Sequence, residues 1–330
     1  LVHTAEREVM DERDVRAIAF PAVRYYIERG MSKEIRDEPG GGGRTWTVLS
    51  LLEWAGSFLA GKGFDESRLT GELLLAHVLG VPRLDLYLQF DRPLIAEELA
   101  RFKALFVRRL EHEPLQYIVG ETEFMGLRFV VDRRVLIPRP ETEELVAHAL
   151  DFVRSRGLGS AGILDIGTGS GNVAVALAKS LPSATVVSVD VSRDCLDVAL
   201  MNARNLGVTN VSFLECDIRD DILPGRRFDL VVANPPYVAL HEYEHLQKEV
   251  RAYEPRGALT DGGDGLLFVR RTAQLAAAHL APGGALFMEI AYNQDGVARA
   301  IASASGLRNV AVRKDFAGNF RFLTGTLEVA

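Results

Sequence analysis

Three things are scarce in this chain of 330 residues: cysteine, long apolar runs and surplus positive charge. The two cysteines, Cys195 and Cys216, form neither a Cys-x-x-Cys pair nor a metal-ligand spacing. That argues against a zinc ribbon or a disulfide-stapled fold and for two reduced, buried thiols in a cytosolic protein. No apolar stretch approaches the ~18 residues of a membrane-spanning helix, and the N-terminal segment lacks the apolar core of a secretory signal. Lys and Arg number 38 against 45 Asp and Glu, a formal net charge of −7, with no long basic block. Such a balance weighs against a protein held on nucleic-acid backbones, where cations supply the affinity. The expectation is a cytoplasmic protein with no membrane, no metal and no direct nucleic-acid partner. What is plentiful is apolar material, 48% of residues, enough for a sizeable core.

The pattern changes three times along the chain. Residues 1–44 are highly charged and end in Pro39-Gly40-Gly41-Gly42-Gly43, a flexible-linker composition. Val15, Ile18, Ala19, Val23 and Tyr26 fall at the spacing of a short helix, and Met31 is an alternative start to the unusual Leu1. Residues 45–119 read as a small helical bundle. Its first helix begins near Thr45 and stops at Gly61 and Gly63; further helices are expected over 66–79 and 96–111. Trp46 and Trp54 read as core residues, and Arg101, Arg108 and Arg109 as a solvated helix face. Residues 120–139 predict a β-hairpin linker with turn residues Gly126 and Asp132-Arg133.

From residue 140 to 330, helices and strands alternate. Strands are expected over 162–166, 185–190, 211–215, 229–233 and 285–290, with two more over 310–314 and 321–327. Strands separated by helices imply βαβ units and a mostly parallel sheet. No helix separates the last two, so the final strand is expected to enter antiparallel.

Chemistry concentrates at two turns. The strand ending Asp165-Ile166 runs into Gly167-Thr168-Gly169-Ser170-Gly171, and a helix follows at Asn172. Glycines there let backbone turn tightly and approach a ligand. Asp190 ends the next strand, where a carboxylate can accept both hydroxyl hydrogens of a ribose. Asp217-Ile218 follows the third strand, where an adenine can be gripped. A nicotinamide dinucleotide wants Gly-x-Gly-x-x-Gly with its pyrophosphate on the helix N-terminus. Here the third glycine comes one residue early, and Asp165 would repel a pyrophosphate. S-adenosyl-L-methionine carries an ammonium and a sulfonium instead of phosphates, so it suits acidic residues better.

The second turn, Asn234-Pro235-Pro236-Tyr237, follows the fourth strand and should face the same crevice. Two prolines fix φ and remove two donors. What remains is a rigid pair of acceptors, the Asn234 side-chain oxygen and the Pro235 carbonyl, matched to the two hydrogens of a planar NH2 group. Tyr237 would stack on that group. A delocalised amide or amino nitrogen is a poor nucleophile, so catalysis would rest on orientation and on placed acceptors.

These turns sit among further motifs. They are Glu113-Pro114-Leu115-Gln116-Tyr117-Ile118, Glu123-Phe124-Met125-Gly126-Leu127, Leu136-Ile137-Pro138-Arg139-Pro140-Glu141-Thr142-Glu143, Tyr253-Glu254-Pro255 and Asp261-Gly262-Gly263-Asp264-Gly265. Together they closely resemble the peptide chain release factor N5-glutamine methyltransferases of the HemK/PrmC type, over residues 45–330. The resemblance implies a class I methyltransferase fold: α/β, Rossmann-like, a seven-stranded, mostly parallel sheet with its last strand antiparallel, plus the helical bundle and linking hairpin. It implies methylation of the glutamine in the Gly-Gly-Gln loop of release factors 1 and 2, with S-adenosyl-L-homocysteine as product and a monomeric enzyme. Thr142, Gly167, Gly169, Gly171, Asp190, Asp217 and Ile218 would contact the cofactor, with Asp165, Thr168, Ser170 and Asn234 about the same turns. Asn234, Pro235, Pro236 and Tyr237 would hold the glutamine, and Phe124 would border the pocket.

Three alternatives stay open on the residues: glutamine methylation of a ribosomal protein, amino methylation of adenine or guanine, and a binding protein without catalysis. A remote fourth is a zinc hydrolase, since His241-Glu242-Tyr243-Glu244-His245 is a literal His-Glu-x-x-His. It reads better as a polar helix beside the substrate entrance.

Overall fold

Thr47 starts the first helix with a reciprocal cap: its hydroxyl accepts from the Ser50 amide, and the Ser50 hydroxyl accepts from the Thr47 amide. In the computed structural model, residues 45–220 and 225–328 are described; the expected extension 1–44 and its short helix lie outside them. The chain forms two compact units that part between Val119 and Gly120.

The first unit contains α1 (Val48–Ala60), α2 (Ser67–Leu79), a 3-10 turn (Arg83–Leu88), α3 (Ala96–Leu110) and α4 (Leu115–Val119). Gly80 ends α2 at φ 67°, a left-handed cap that costs glycine little. The apolar stripe of α1 meets Leu74, Leu75, Phe102 and Phe106 in a dry core. Trp46 is buried there, edge-on to the half-buried Trp54 at 6.1 Å. The expected arginine face holds for exposed Arg101 and is corrected at the other two: Arg109 is buried and donates to the Glu113 carbonyl, and Arg108 forms a two-pronged bond with the Glu113 carboxylate. The 3-10 turn and α4 escaped the sequence reading because neither is long enough to show a helical period.

The second unit opens with the hairpin β1 (Glu121–Phe124) and β2 (Leu127–Val130). Its turn is Met125-Gly126 alone, both at positive φ, a tight connection that matches strand twist. The helix α5 (Pro140–Ser155) follows, with Pro140 in its first turn, where a missing amide hydrogen costs nothing. Then come β3 (Gly162–Ile166), α6 (Asn172–Ser180), β4 (Thr185–Asp190), α7 (Arg193–Asn205), β5 (Val211–Glu215) and β6 (Phe228–Ala233). Two short helices, α8 (Leu240–Tyr243) and α9 (Lys248–Tyr253), precede α10 (Leu267–His279), β7 (Leu280–Glu289), α11 (Asp295–Ala304), β8 (Arg308–Lys314) and β9 (Phe320–Thr326).

Seven strands form one sheet in the order β5-β4-β3-β6-β7-β9-β8, with β9 antiparallel to both its neighbours. The expected α/β, mostly parallel, seven-stranded architecture is borne out, and β3, β4 and β5 have the expected limits. Apolar clusters cover both sheet faces, which is why the central strands read as unbroken apolar runs. Among the described residues no helix is long and apolar enough to cross a membrane. The two cysteines are free, but only Cys195 is fully buried; Cys216 is half-buried at the sheet edge.

One buried side chain ties the hairpin to the sheet. Asn202 on α7 is fully buried; its Nδ2 donates to the carbonyls of Val130 and Ser170, and its Oδ1 accepts from the Val130 amide. Replacing it with alanine strands three backbone groups. Asn202→Ala should lower unfolding stability by about 2–4 kcal/mol in urea denaturation; a loss near zero would show that the hairpin is held otherwise.

Candidate active site

Parallel register builds the site. Val189, Ile166, Ala233 and Met288 are paired across β4, β3, β6 and β7. The next residue on each strand therefore falls in one row along the carboxyl edge of the sheet: Asp190, Gly167, Asn234 and Glu289. Strands lie about 4.8 Å apart, so roughly 10 Å separates Asp190 from Asn234. A Cβ added at Gly167 would lie 3.6 Å from the Asn234 carbonyl, which confirms that the two turns adjoin.

The glycine turn has a separate reason for each glycine. Gly167, Gly169 and Gly171 have φ of 85°, 53° and 82°, a region that other residues rarely adopt. Space around a Cβ at Gly169 is open, whereas at Gly171 it would strike Ala199 of α7 at 2.9 Å. The Gly169 amide donates to Asp190 Oδ2 at 3.0 Å and the Ser192 amide to Oδ1 at 2.9 Å. Burial pushes the Asp190 carboxyl up from its ordinary range while these amides pull it back. With about four lone-pair directions on its two oxygens, the carboxylate still has room to accept from a ligand hydroxyl.

Asp165 corrects the expectation of a carboxylate facing the ligand. It is 1% exposed beneath the turn. Ser188 donates to its Oδ2 at 2.6 Å, Thr168 donates to Ser188 in turn, and Oδ1 makes no hydrogen bond. Burial pushes its pKa up to about 7. Thr168 and Ser170 are likewise buried, so they offer a ligand backbone rather than side chains.

The Asn234-Pro235-Pro236-Tyr237 turn is pinned from three sides. Asn234 Nδ2 donates to Thr142 Oγ1 at 3.1 Å, and Thr142 donates to Glu289 Oε2 at 2.8 Å. Tyr237 donates to Glu289 Oε1 at 2.9 Å. The Asn234 amide is thus turned so that Oδ1 is the acceptor left over. Gln294 donates to the Tyr237 carbonyl at 3.1 Å. The Asp-Gly-Gly-Asp-Gly loop supports the rear: a Cβ at Gly265 would collide with the Tyr237 carbonyl at 2.3 Å. Nearby, Glu254 binds both Arg139 and the Ile137 amide, and Glu143 accepts from the Met125 amide. These contacts join the motifs around Met125, Arg139 and Glu254 within the second unit.

Other expected residues lie apart from this row. The Asp217 carboxylate is bonded by the Arg219 guanidinium, which holds it below the usual range. Half-buried Ile218 packs on the sheet, and its carbonyl accepts from Arg271. Phe124, expected to border the pocket, is 1% exposed and sits edge-on to Phe129. His241 lies on α8, which ends at Tyr243; His245 falls in the turn beyond, so the two do not share a helix face. Among the described residues no group of three metal-binding side chains converges. Glu289 was missed by sequence reading, although a lone carboxylate ending an apolar parallel strand was a usable signal.

The residues suit S-adenosylmethionine. The glycine cradle admits a ligand at Gly169, and Asp190 retains acceptors for a ribose. The carboxyl groups of Asp190 and Glu289 in the row favour a cationic ligand over a pyrophosphate.

Comparison with known proteins agrees. Residues 50–120 match the family model of the PrmC N-terminal domain, and residues 160–288 match a methyltransferase domain. A release factor glutamine methyltransferase of Rhodopirellula baltica is 41% identical, covering 84% of this chain and 96% of the relative. One from Geobacter sulfurreducens is 44% identical, covering 86% and 97%. One from Chlorobaculum tepidum is 47% identical, covering 77% and 88%.

Asp165 makes stability pH-dependent. Unfolded, an aspartate titrates near ~4; folded, this one titrates at about 7. Between those values the folded chain holds a proton that the unfolded chain lacks, so this contribution to stability falls as pH rises through the window. Asp165→Asn should therefore gain stability relative to the unsubstituted, ligand-free chain between pH 4 and 7 in urea titrations. A difference independent of pH would contradict the assignment.

Proposed function

The chain belongs to the release factor glutamine methyltransferases, and from that premise we propose that it transfers the methyl group of S-adenosylmethionine to the side-chain amide nitrogen of the glutamine in the Gly-Gly-Gln loop of release factors 1 and 2. The observation that carries this reading is the Asn234 amide: Nδ2 is engaged by Thr142, which leaves Oδ1 as an acceptor on a residue whose backbone adjoins the glycine turn.

The bound S-adenosylmethionine supplies an electrophilic methyl group on a sulfonium whose thioether leaves readily. The chain supplies position. Asp190 would hold the ribose hydroxyls, the backbone of 167–171 the amino-acid end, and Asp217 and Ile218 the adenine. Asn234 Oδ1 and the Pro235 carbonyl accept the two hydrogens of the glutamine amide. With both hydrogens held, the nitrogen is fixed on the methyl axis and its lone pair is freed from conjugation as it pyramidalises. Two acceptors also stabilise the positive charge that grows on nitrogen, in a setting that needs little reorganisation; as the N–CH3 bond forms and the S–CH3 bond breaks, one of the two held N–H protons is shed past its acceptor to solvent, leaving the neutral N-methyl amide. Pro235 and Pro236 keep the turn from relaxing. Tyr237 covers the planar amide with its ring while its hydroxyl remains on Glu289. Burial and the neighbouring carboxylate push the Tyr237 hydroxyl up, so it stays protonated and donating.

Residues 45–119 form the docking domain for the body of the release factor, the hairpin belongs to the approach to the site, and residues 140–330 carry the chemistry. The enzyme works as a monomer in the cytoplasm, where translation terminates.

Labelled S-adenosylmethionine, offered with purified release factors, ribosomal proteins or nucleic acid, tests the substrate. Label is expected on the release factors, at the glutamine by peptide mass spectrometry; label on nucleic acid or ribosomal protein alone would overturn the reading. Asn234→Ala should lower kcat on the order of a hundredfold or more with cofactor affinity nearly unchanged by calorimetry. Asp190→Ala should do the reverse, weakening cofactor binding by about 1–3 kcal/mol. Collapse of cofactor binding in the Asn234 variant would contradict the division of roles.

A further inference from the structure

Asn234 is useful only in one of its two amide orientations. Flipped, it would present NH2 to a substrate NH2, donor against donor. Rotation by half a turn about the last side-chain bond changes little in shape, so packing alone does not choose. Hydrogen bonding must.

The choice is traceable to Glu289. An ionised carboxylate accepts and cannot donate. Both its oxygens are engaged: Oε1 by the Tyr237 hydroxyl at 2.9 Å and Oε2 by the Thr142 hydroxyl at 2.8 Å. Thr142 has a single hydroxyl hydrogen, and Glu289 takes it. The Thr142 oxygen can then only accept from Asn234, so the Asn234 group facing it at 3.1 Å must be Nδ2. The amide oxygen is driven to the other side. Thr142 is 1% exposed and Glu289 likewise, so solvent does not scramble this chain of donors. Remote segments meet here: Thr142 lies 147 residues from Glu289 and 92 from Asn234 in sequence.

We propose that Glu289 is a positioning residue, which acts through Thr142 to orient the Asn234 amide with its oxygen toward the substrate nitrogen. The proposal rests on the function proposed above and names what sets the polarity of that same site. It also gives Thr142 a role other than cofactor contact, since its hydroxyl hydrogen and one lone pair are already engaged.

A pH consequence accompanies it. Protonated Glu289 gains a hydrogen to donate; Thr142 can then donate to Asn234, and the flipped amide becomes allowed. The groups facing Glu289 are Thr142 and Glu141 from α5, Tyr237 from the turn after β6, and Arg321 from β9, itself bonded to Asp315. Burial, with Glu141, raises the Glu289 carboxyl; Thr142, Tyr237 and Arg321 oppose that rise, and the net shift is upward. The acid limb of kcat should therefore lie above the ordinary carboxylate range, with activity lost as pH falls through it.

The test compares Glu289→Gln, Thr142→Val, Thr142→Ser and the double variant Glu289→Gln/Thr142→Val. Glu289→Gln and Thr142→Val should each lower kcat on the order of tenfold to a hundredfold, as loss of a hydrogen bond to a charged group does, with cofactor affinity within about threefold. Thr142→Ser keeps the hydroxyl and should restore most of the rate. The double variant should be no slower than the slower single variant, since both cut one chain. The acid limb should vanish in Glu289→Gln. In nitrogen-15-labelled protein without substrate, the Asn234 side-chain NH2 signals should be protected from exchange and lose that protection in Thr142→Val. If Glu289→Gln fails to fold, the Thr142 pair and the exchange measurement decide alone. Rates within twofold of the parent in Thr142→Val, or exchange unchanged by it, would overturn the proposal. An unsubstituted enzyme that leaves release factors unmethylated yet shows the protected NH2 would overturn the function and leave the positioning role standing.

Discussion

The register of four parallel strands is the constraint on which this molecule depends. Pairing of Val189, Ile166, Ala233 and Met288 places Asp190, Gly167, Asn234 and Glu289 side by side. Each strand contributes one residue, and no two of these residues act alike. In the proposed function Asp190 accepts from a ribose, Gly167 turns the backbone, Asn234 accepts from the substrate, and Glu289 sets the orientation of its neighbours. A slip of one residue in any strand would turn its contribution to the other face of the sheet. The apolar clusters on both faces make such a slip costly, so the core secures the geometry of the site.

Around this row the chain uses buried carboxyls as fixed acceptors. Asp165 sits under the glycine turn, Glu254 gathers Ile137 and Arg139, and Glu289 gathers Thr142 and Tyr237. Burial of a carboxyl is unfavourable unless donors surround it. Here the donors come from segments far apart in sequence, so each carboxyl joins loops that no continuous element connects. Asp165 is the exception, with one oxygen lacking a partner, and its raised pKa follows. The short motifs of the sequence are thus contacts between segments more than separate sites.

Much of the architecture was legible before the structure. Strands 162–166, 185–190 and 211–215 stood out as apolar runs between turn residues, and the glycine turn and the Asn-Pro-Pro-Tyr turn announced themselves by composition. The less legible features depend on long-range proximity. Nothing local marks Thr142 as a partner of Glu289, or Glu254 as a partner of Arg139. Asp165 read as a carboxylate beside the turn because sequence does not show its depth beneath it, and nothing local marks Phe124 as a partner of Phe129. Arg109 read as a surface cation, yet it caps the chain at Glu113 from within the core of its own unit. The His-Glu-x-x-His string was a coincidence of letters, since α8 ends between the two histidines.

Everything about the site turns on whether the row presents an oriented acceptor, Asn234 Oδ1, to a substrate amide. A crystal structure with S-adenosylhomocysteine and a peptide bearing Gly-Gly-Gln would show this directly. The glutamine amide nitrogen is expected at hydrogen-bond distance from both Asn234 Oδ1 and the Pro235 carbonyl, ~2.9 Å from each, with Asn234 Nδ2 still on Thr142. A glutamine bound away from this turn, or one facing Asn234 Nδ2, would contradict it.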